Sequence, residues 1–106
     1  MEIRVQPLEM TFVIEGLDAP DRATGRATYT DAHVAHLTSL GDRFVIGGPL
    51  LDQNDVSIGS LMVIEAESRA DAEAFAAADP FVLNKVFETV TVRRWEFGHL
   101  RKSGRG

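Results

Sequence analysis

The chain of 106 residues contains no cysteine, which excludes a disulfide, a thiolate metal site and a cysteine nucleophile together. It also lacks any apolar run near the roughly 20 residues that a bilayer-crossing helix needs. The opening MEIRVQPLEM has neither the apolar stretch nor the small-residue cleavage site of a signal peptide, so a cytoplasmic protein without a membrane partner is expected. Basic residues are scarce: 11 Lys and Arg stand against 16 Asp and Glu, for a formal net charge of -5. Such a surface repels a phosphate backbone, and the basic cluster of Arg101, Lys102 and Arg105 falls in a Gly/Ser-containing tail. Nucleic acid is not an expected partner.

What remains is ordinary globular material. Hydrophobic residues make up 44% and charged residues 25%, far from the signature of disorder and enough for one core in a chain of this length. Residues 1–97 read as a single domain and 98–106 as a flexible basic tail.

Leu8, Met10, Phe12 and Ile14 alternate, which places them on one face of a first strand over 8–14. The stretch 16–28, with Gly, Pro, Asp and Arg and no periodicity, reads as a long exposed loop. Thr30 is then positioned to cap a helix over 31–40 that ends at Gly41. Residues 43–46 form a second strand, closed by a tight bend at Gly47-Gly48-Pro49. A third strand covers 58–66, apolar on both sides. Ser68 with Asp71 resembles a capping box for an alanine-rich helix over 70–78, stopped by Asp79-Pro80. Pro80 opens a short turn reaching Lys85, and residues 87–97, rich in Val, Thr, Phe and Trp, make the last strand.

This β-α-β-β-α-β order predicts an α+β, ferredoxin-like fold: a four-stranded antiparallel sheet with both helices on one face. Leu61 and Val63 on strand three, and Phe87, Trp95 and Phe97 on strand four, would then form an apolar second face. A second copy covering that face makes a homodimer, a dimeric α+β barrel.

Among groups able to move protons near neutral pH, His33 and His36 share one helix. If His33 faces the sheet, a carboxylate could fix its tautomer, and Asp79, at the end of the neighbouring helix, is placed for it. The competing reading is a histidine that packs and an aspartate that caps the Pro80 turn. Gly47-Gly48-Pro49 reads as a turn because Pro49 donates no N–H and the run lacks phosphate-loop spacing. His33, His36, Asp31 and Asp79 do not form a metal motif, so no metal site is assigned. Trp95 and Ser60 read as strand residues.

The run Asp31-Ala-His33-Val-Ala-His36-Leu37, then Phe44 to Leu50 with its GGP, then Gly59-Ser60, Ala78-Asp79-Pro80-Phe81, and Val90-Thr-Val92 to Trp95, resembles the YCII-related family. The resemblance extends from about residue 8 to residue 97. It implies a ferredoxin-like subunit, a dimeric barrel and an active-site His-Asp dyad, its histidine falling on His33 and its aspartate on Asp79. His36, Ser60, Gly48 and Pro49 follow as secondary candidates. One branch of the family removes chloride from chlorinated hydroxyhydroquinones, and the wider fold hosts lactone isomerases and cofactor-free oxygenases, both a likeness of fold alone. The function expected is cofactor-free acid/base chemistry, an elimination, dehalogenation or isomerisation, on a small cyclic or carbonyl compound. The alternatives are a non-catalytic metabolite-binding module and a purely structural dimer.

Overall fold

The computed structural model describes residues 10–21 and 23–98. Its elements run β1 (Met10–Asp18), α1 (Ala23–Thr38), a 3-10 turn (Gly41–Arg43), β2 (Phe44–Leu51), β3 (Ser57–Ala66), α2 (Arg69–Ala77), α3 (Pro80–Leu83) and β4 (Phe87–Arg94). The strands form one antiparallel sheet in the order β2-β3-β1-β4, with the helices packed on one face. This is the ferredoxin-like α+β architecture.

Alternation along the two central strands builds the core. Phe12 lies opposite Ile64 and Ile14 opposite Met62, and each of the four is at most 2% exposed. Burial of side chains this large stabilises the fold by about 1.5–3 kcal/mol each. Ala72 and Ala76 bring α2 close against this face, and Phe81, Val86 and Phe87 complete the core. Ser68 caps α2 by accepting from the Asp71 N–H at 3.1 Å. No helix among the described residues is long and apolar enough to cross a membrane.

Several boundaries differ from those expected. β1 continues to Asp18, and α1 begins at Ala23 rather than at 31. The stretch read as an exposed loop is therefore the end of a strand and two turns of helix. Thr30 is not a cap: its hydroxyl donates to the Arg26 carbonyl at 2.5 Å inside the helix, as Thr28 does to Thr24 and Thr38 to Val34. Threonine and glycine are poor helix formers, and here tertiary contacts hold the first turns of α1 in place, Tyr29 packing against the core and Arg26 binding Asp18.

The expected bend at Gly47-Gly48-Pro49 is strand. β2 continues through all three residues, with Gly48 opposite Leu61 and Pro49 opposite Ser60. β2 is an edge strand, where a missing N–H is tolerated. On β4 the register shifts, so that Leu17 faces Thr89 but Asp18 faces Phe87. This bulge turns Phe87 into the core beside Val90 and Val92, not onto the opposite face with Trp95 and Phe97. Gly16 makes room for it, since a Cβ there would lie 2.4–2.6 Å from ring atoms of Phe87, closer by far than van der Waals contact. β4 ends at Arg94. Leu8 and the tail beyond Gly98 lie outside the described residues.

Candidate functional site

Extending α1 back to Ala23 makes a stripe visible on it: Arg26, Thr30, His33 and Leu37, at spacings of four, three and four, lie on one side of the helix. That side faces a cavity of about 660 Å³ between α1 and the β2-β3 half of the sheet. Phe44 and Gly47 to Pro49 line it from β2, Ser60 and Met62 from β3, and Phe81 from α3. Val56 and Ser57 close it at the hairpin end.

His33 is brought to Asp79 by the meeting of α1 with α3. Asp79 has extended backbone, φ -62° and ψ 130°, the conformation favoured before proline, with Pro80 in the first turn of α3. Its Oδ1 accepts from the Phe81 N–H at 2.8 Å. Both carboxylate oxygens also accept from His33 Nδ1, at 2.9 and 2.8 Å. Asp79 is therefore a helix cap and a histidine partner at once. The pair is buried, with residue exposures of 7% and 2%. The imidazole stacks on Phe81, with centroids 4.1 Å apart, and meets Phe87 edge-on.

Because the carboxylate can only accept, Nδ1 carries the proton that it donates, and in the neutral ring the lone pair is on Nε2. No hydrogen bond from the described residues reaches Nε2, yet every fully buried side-chain nitrogen or oxygen among them has a partner. Nε2 is thus accessible where the ring lines the cavity.

Across the same space Arg26 is held by Asp18 through two charge-assisted bonds, Nε to Oδ2 at 2.6 Å and Nη2 to Oδ1 at 2.8 Å. Its Nη2 also donates to Ser60 Oγ at 3.1 Å, and its guanidinium lies 4.8 Å from the Phe81 ring centroid. Ser60, 2% exposed, accepts this bond and keeps its own O–H to donate. Arg26 and Asp18 were not foreseen from sequence. The signal was present in the stripe from Arg26 to His33, hidden by reading 16–28 as loop.

The remaining candidates divide. Ser60, Gly48 and Pro49 line the cavity. His36 does not: its Nε2 donates to the Phe75 carbonyl at 2.8 Å and its ring stacks on Phe75 at 4.0 Å, so it ties α1 to α2. Among the described residues no group of three or more His, Asp and Glu side chains is arranged to hold a metal ion.

The chain has relatives among known proteins. The YciI protein of Escherichia coli O6:H1 is 37% identical over 92 residues, covering 79% of this chain and 94% of its own, and the YciI protein of Shigella flexneri matches equally. Among solved structures, the 5-chloro-2-hydroxyhydroquinone dehydrochlorinase TftG of Burkholderia phenoliruptrix AC1100, in complex with 2,5-dihydroxybenzoquinone, aligns with a TM-score of 0.76 and 34% identity. That alignment covers 84% of this chain and 96% of the other. The protein PA3566 of Pseudomonas aeruginosa shares the fold at a TM-score of 0.51 and 16% identity, over 82% of this chain and 91% of its own. The model of the YCII-related domain matches residues 10–96, all but the last two described positions. A match spanning the whole sheet and its helices, with relatives more than a third identical, places the chain in the YCII-related family.

Proposed function

We propose that the chain is an enzyme of small-molecule acid/base chemistry, with His33 as the group that moves the proton and Asp79 as the residue that orients it. One observation carries this reading: an imidazole whose tautomer is set by a buried carboxylate presents its other nitrogen to a cavity that also holds a guanidinium and a serine hydroxyl. Nε2 withdraws a proton from a hydroxyl or an activated carbon of the bound ring. The charge left on oxygen is stabilised by donors already in place on Arg26 and Ser60, so little reorganisation is needed as it develops. Asp79 stabilises the imidazolium that forms.

From that anion two outcomes are open to the same residues. Loss of a leaving group with its bonding electron pair completes an elimination, and return of the proton by His33 to another atom completes an isomerisation. TftG is named for removing HCl from a chlorinated hydroxyhydroquinone, which supports the first. In that reaction a proton taken from a hydroxyl is delivered to the chlorine-bearing ring carbon, which becomes tetrahedral, and a second hydroxyl proton and the C–Cl electron pair then leave as HCl, so no oxidant is required. Asp79 capping α3 favours a second reading, a metabolite-binding module in which the pair is structural. Ligand binding without conversion would establish that reading.

The test is chloride release from 5-chloro-2-hydroxyhydroquinone, together with deuterium incorporation from D2O into related hydroxyquinols and cyclic diketones. His33→Gln is expected to lower either rate by about 10²- to 10⁴-fold, the usual contribution of a positioned acid/base group, with the fold retained. Rates within twofold of the unaltered protein would overturn the assignment. We further propose that the chain works as a homodimer, through the sheet face turned away from the helices.

A further inference from the structure

The acid/base pair occupies one end of the cavity, and the other end has a different character. Along α1 the groups facing it pass from Arg26 through Thr30 and His33 to Val34 and Leu37, a climb of roughly 16 Å at 1.5 Å per residue. The sheet repeats this gradient. Ser60, opposite Pro49, receives the Arg26 bond, whereas Phe44 stands opposite Ile64, four residues further along β3 and roughly 13 Å away. Donors and acceptors therefore cluster at the Ser60 end, and Leu37, Phe44 and Met62 form an apolar remainder, where the one hydroxyl among the lining residues, that of Thr38, is spent on the Val34 carbonyl. The volume of about 660 Å³ is of the size that encloses ligands well beyond one hydroxylated ring.

Charge narrows the choice further. At the polar end Arg26 is paired with Asp18 and His33 with Asp79, so whichever form the imidazole takes, these four groups leave no net positive charge for an anion. A ligand arriving as a carboxylate or phosphate finds no surplus positive charge to repay its desolvation, while an uncharged hydroxyl or carbonyl oxygen finds donors. Negative charge then appears on the substrate only as His33 becomes positive, and the balance is kept.

We infer that the substrate is an uncharged amphipathic molecule, with an oxygen-bearing ring at His33, Arg26 and Ser60 and an apolar chain or second ring lying along α1 toward Leu37 and Phe44. This rests on the cavity being the substrate site proposed above.

The experiment is calorimetric titration of the full chain with resorcinol, 4-ethyl-, 4-butyl- and 4-hexylresorcinol, and with 4-hexylbenzoate as the charged counterpart. Affinity is expected to rise roughly three- to fourfold per added methylene through butyl, the gain from removing one methylene from water. The benzoate is expected to bind at least about tenfold more weakly than 4-hexylresorcinol, as its charge loses water and meets no net positive charge in return. Val34→Asp alters a half-exposed cavity residue, and it flattens the chain-length slope, as does Leu37→Asn. Thermal unfolding of each variant verifies that it is folded. Equal affinity across the alkyl series, or a benzoate that binds as tightly as the resorcinol, overturns the inference. The catalytic reading fails separately: a steep slope with no turnover leaves the amphipathic site standing and removes the enzyme, and turnover with a flat slope does the reverse.

Discussion

Asp79 has one carboxylate and three bonds to it, from the Phe81 N–H to Oδ1 and from His33 Nδ1 to both oxygens. Two substitutions separate the cap from the proposed catalytic partner. Asp79→Asn keeps an oxygen for Phe81 but removes the charge that steadies an imidazolium, so activity is expected to fall at least about 10²-fold while stability changes by about 1 kcal/mol or less. Asp79→Ala loses both roles, and its denaturant midpoint is expected to report a further loss of about 1–2 kcal/mol from the missing cap and the unpartnered histidine. Equal activity in the unaltered protein and the Asn variant would leave the carboxylate with its cap alone. The Asp79-Pro80 step was legible because each residue is restrictive: aspartate is a strong cap and proline fixes the backbone on either side. The sequence around Ser60 does not disclose its role, since its partner Arg26 is 34 residues away in the chain and no local pattern links them.

At the scale of the element, what could be read was what has a period. The alternation of Phe12 and Ile14, the alanines of α2 and the Ser68 cap all predicted their structure from short-range rules. The first half of α1 did not, because Thr24, Gly25, Thr28 and Thr30 argue against a helix and the forces that overrule them are distant, an ion pair to β1 and packing on the core. The β4 bulge was illegible for a related reason: one unpaired residue changes the face of Phe87, and the cause lies in Gly16 on the neighbouring strand. Gly16→Ala tests this dependence. The added methyl overlaps the Phe87 ring, which in turn meets His33 and Phe81, and a loss of about 1–3 kcal/mol is expected from overpacking. Urea unfolding measures it, and a change below about 0.5 kcal/mol would show that the ring moves aside freely.

For the whole molecule, the sheet has a second face that the helices do not cover. Val13 pairs with Val63 and Ile46 lies beside them, an apolar band across three strands in which Ile46 is 61% exposed. Val63 is buried in the single subunit, so what a partner on this band would cover is chiefly Ile46. Sedimentation equilibrium is expected to give the mass of two chains for the unaltered protein and of one for Ile46→Glu, a change at a position open enough for the subunit to tolerate it. A single-chain mass for both would return the band to solvent. Association through this face also differs in kind from association through an edge. A face pairs with itself once and is used up, whereas an open strand can recruit neighbours without end. Pro49, set in the outermost strand beside the cavity, offers no N–H to such a newcomer. The residue that shapes one wall of the pocket thereby also discourages growth of the sheet into a fibre.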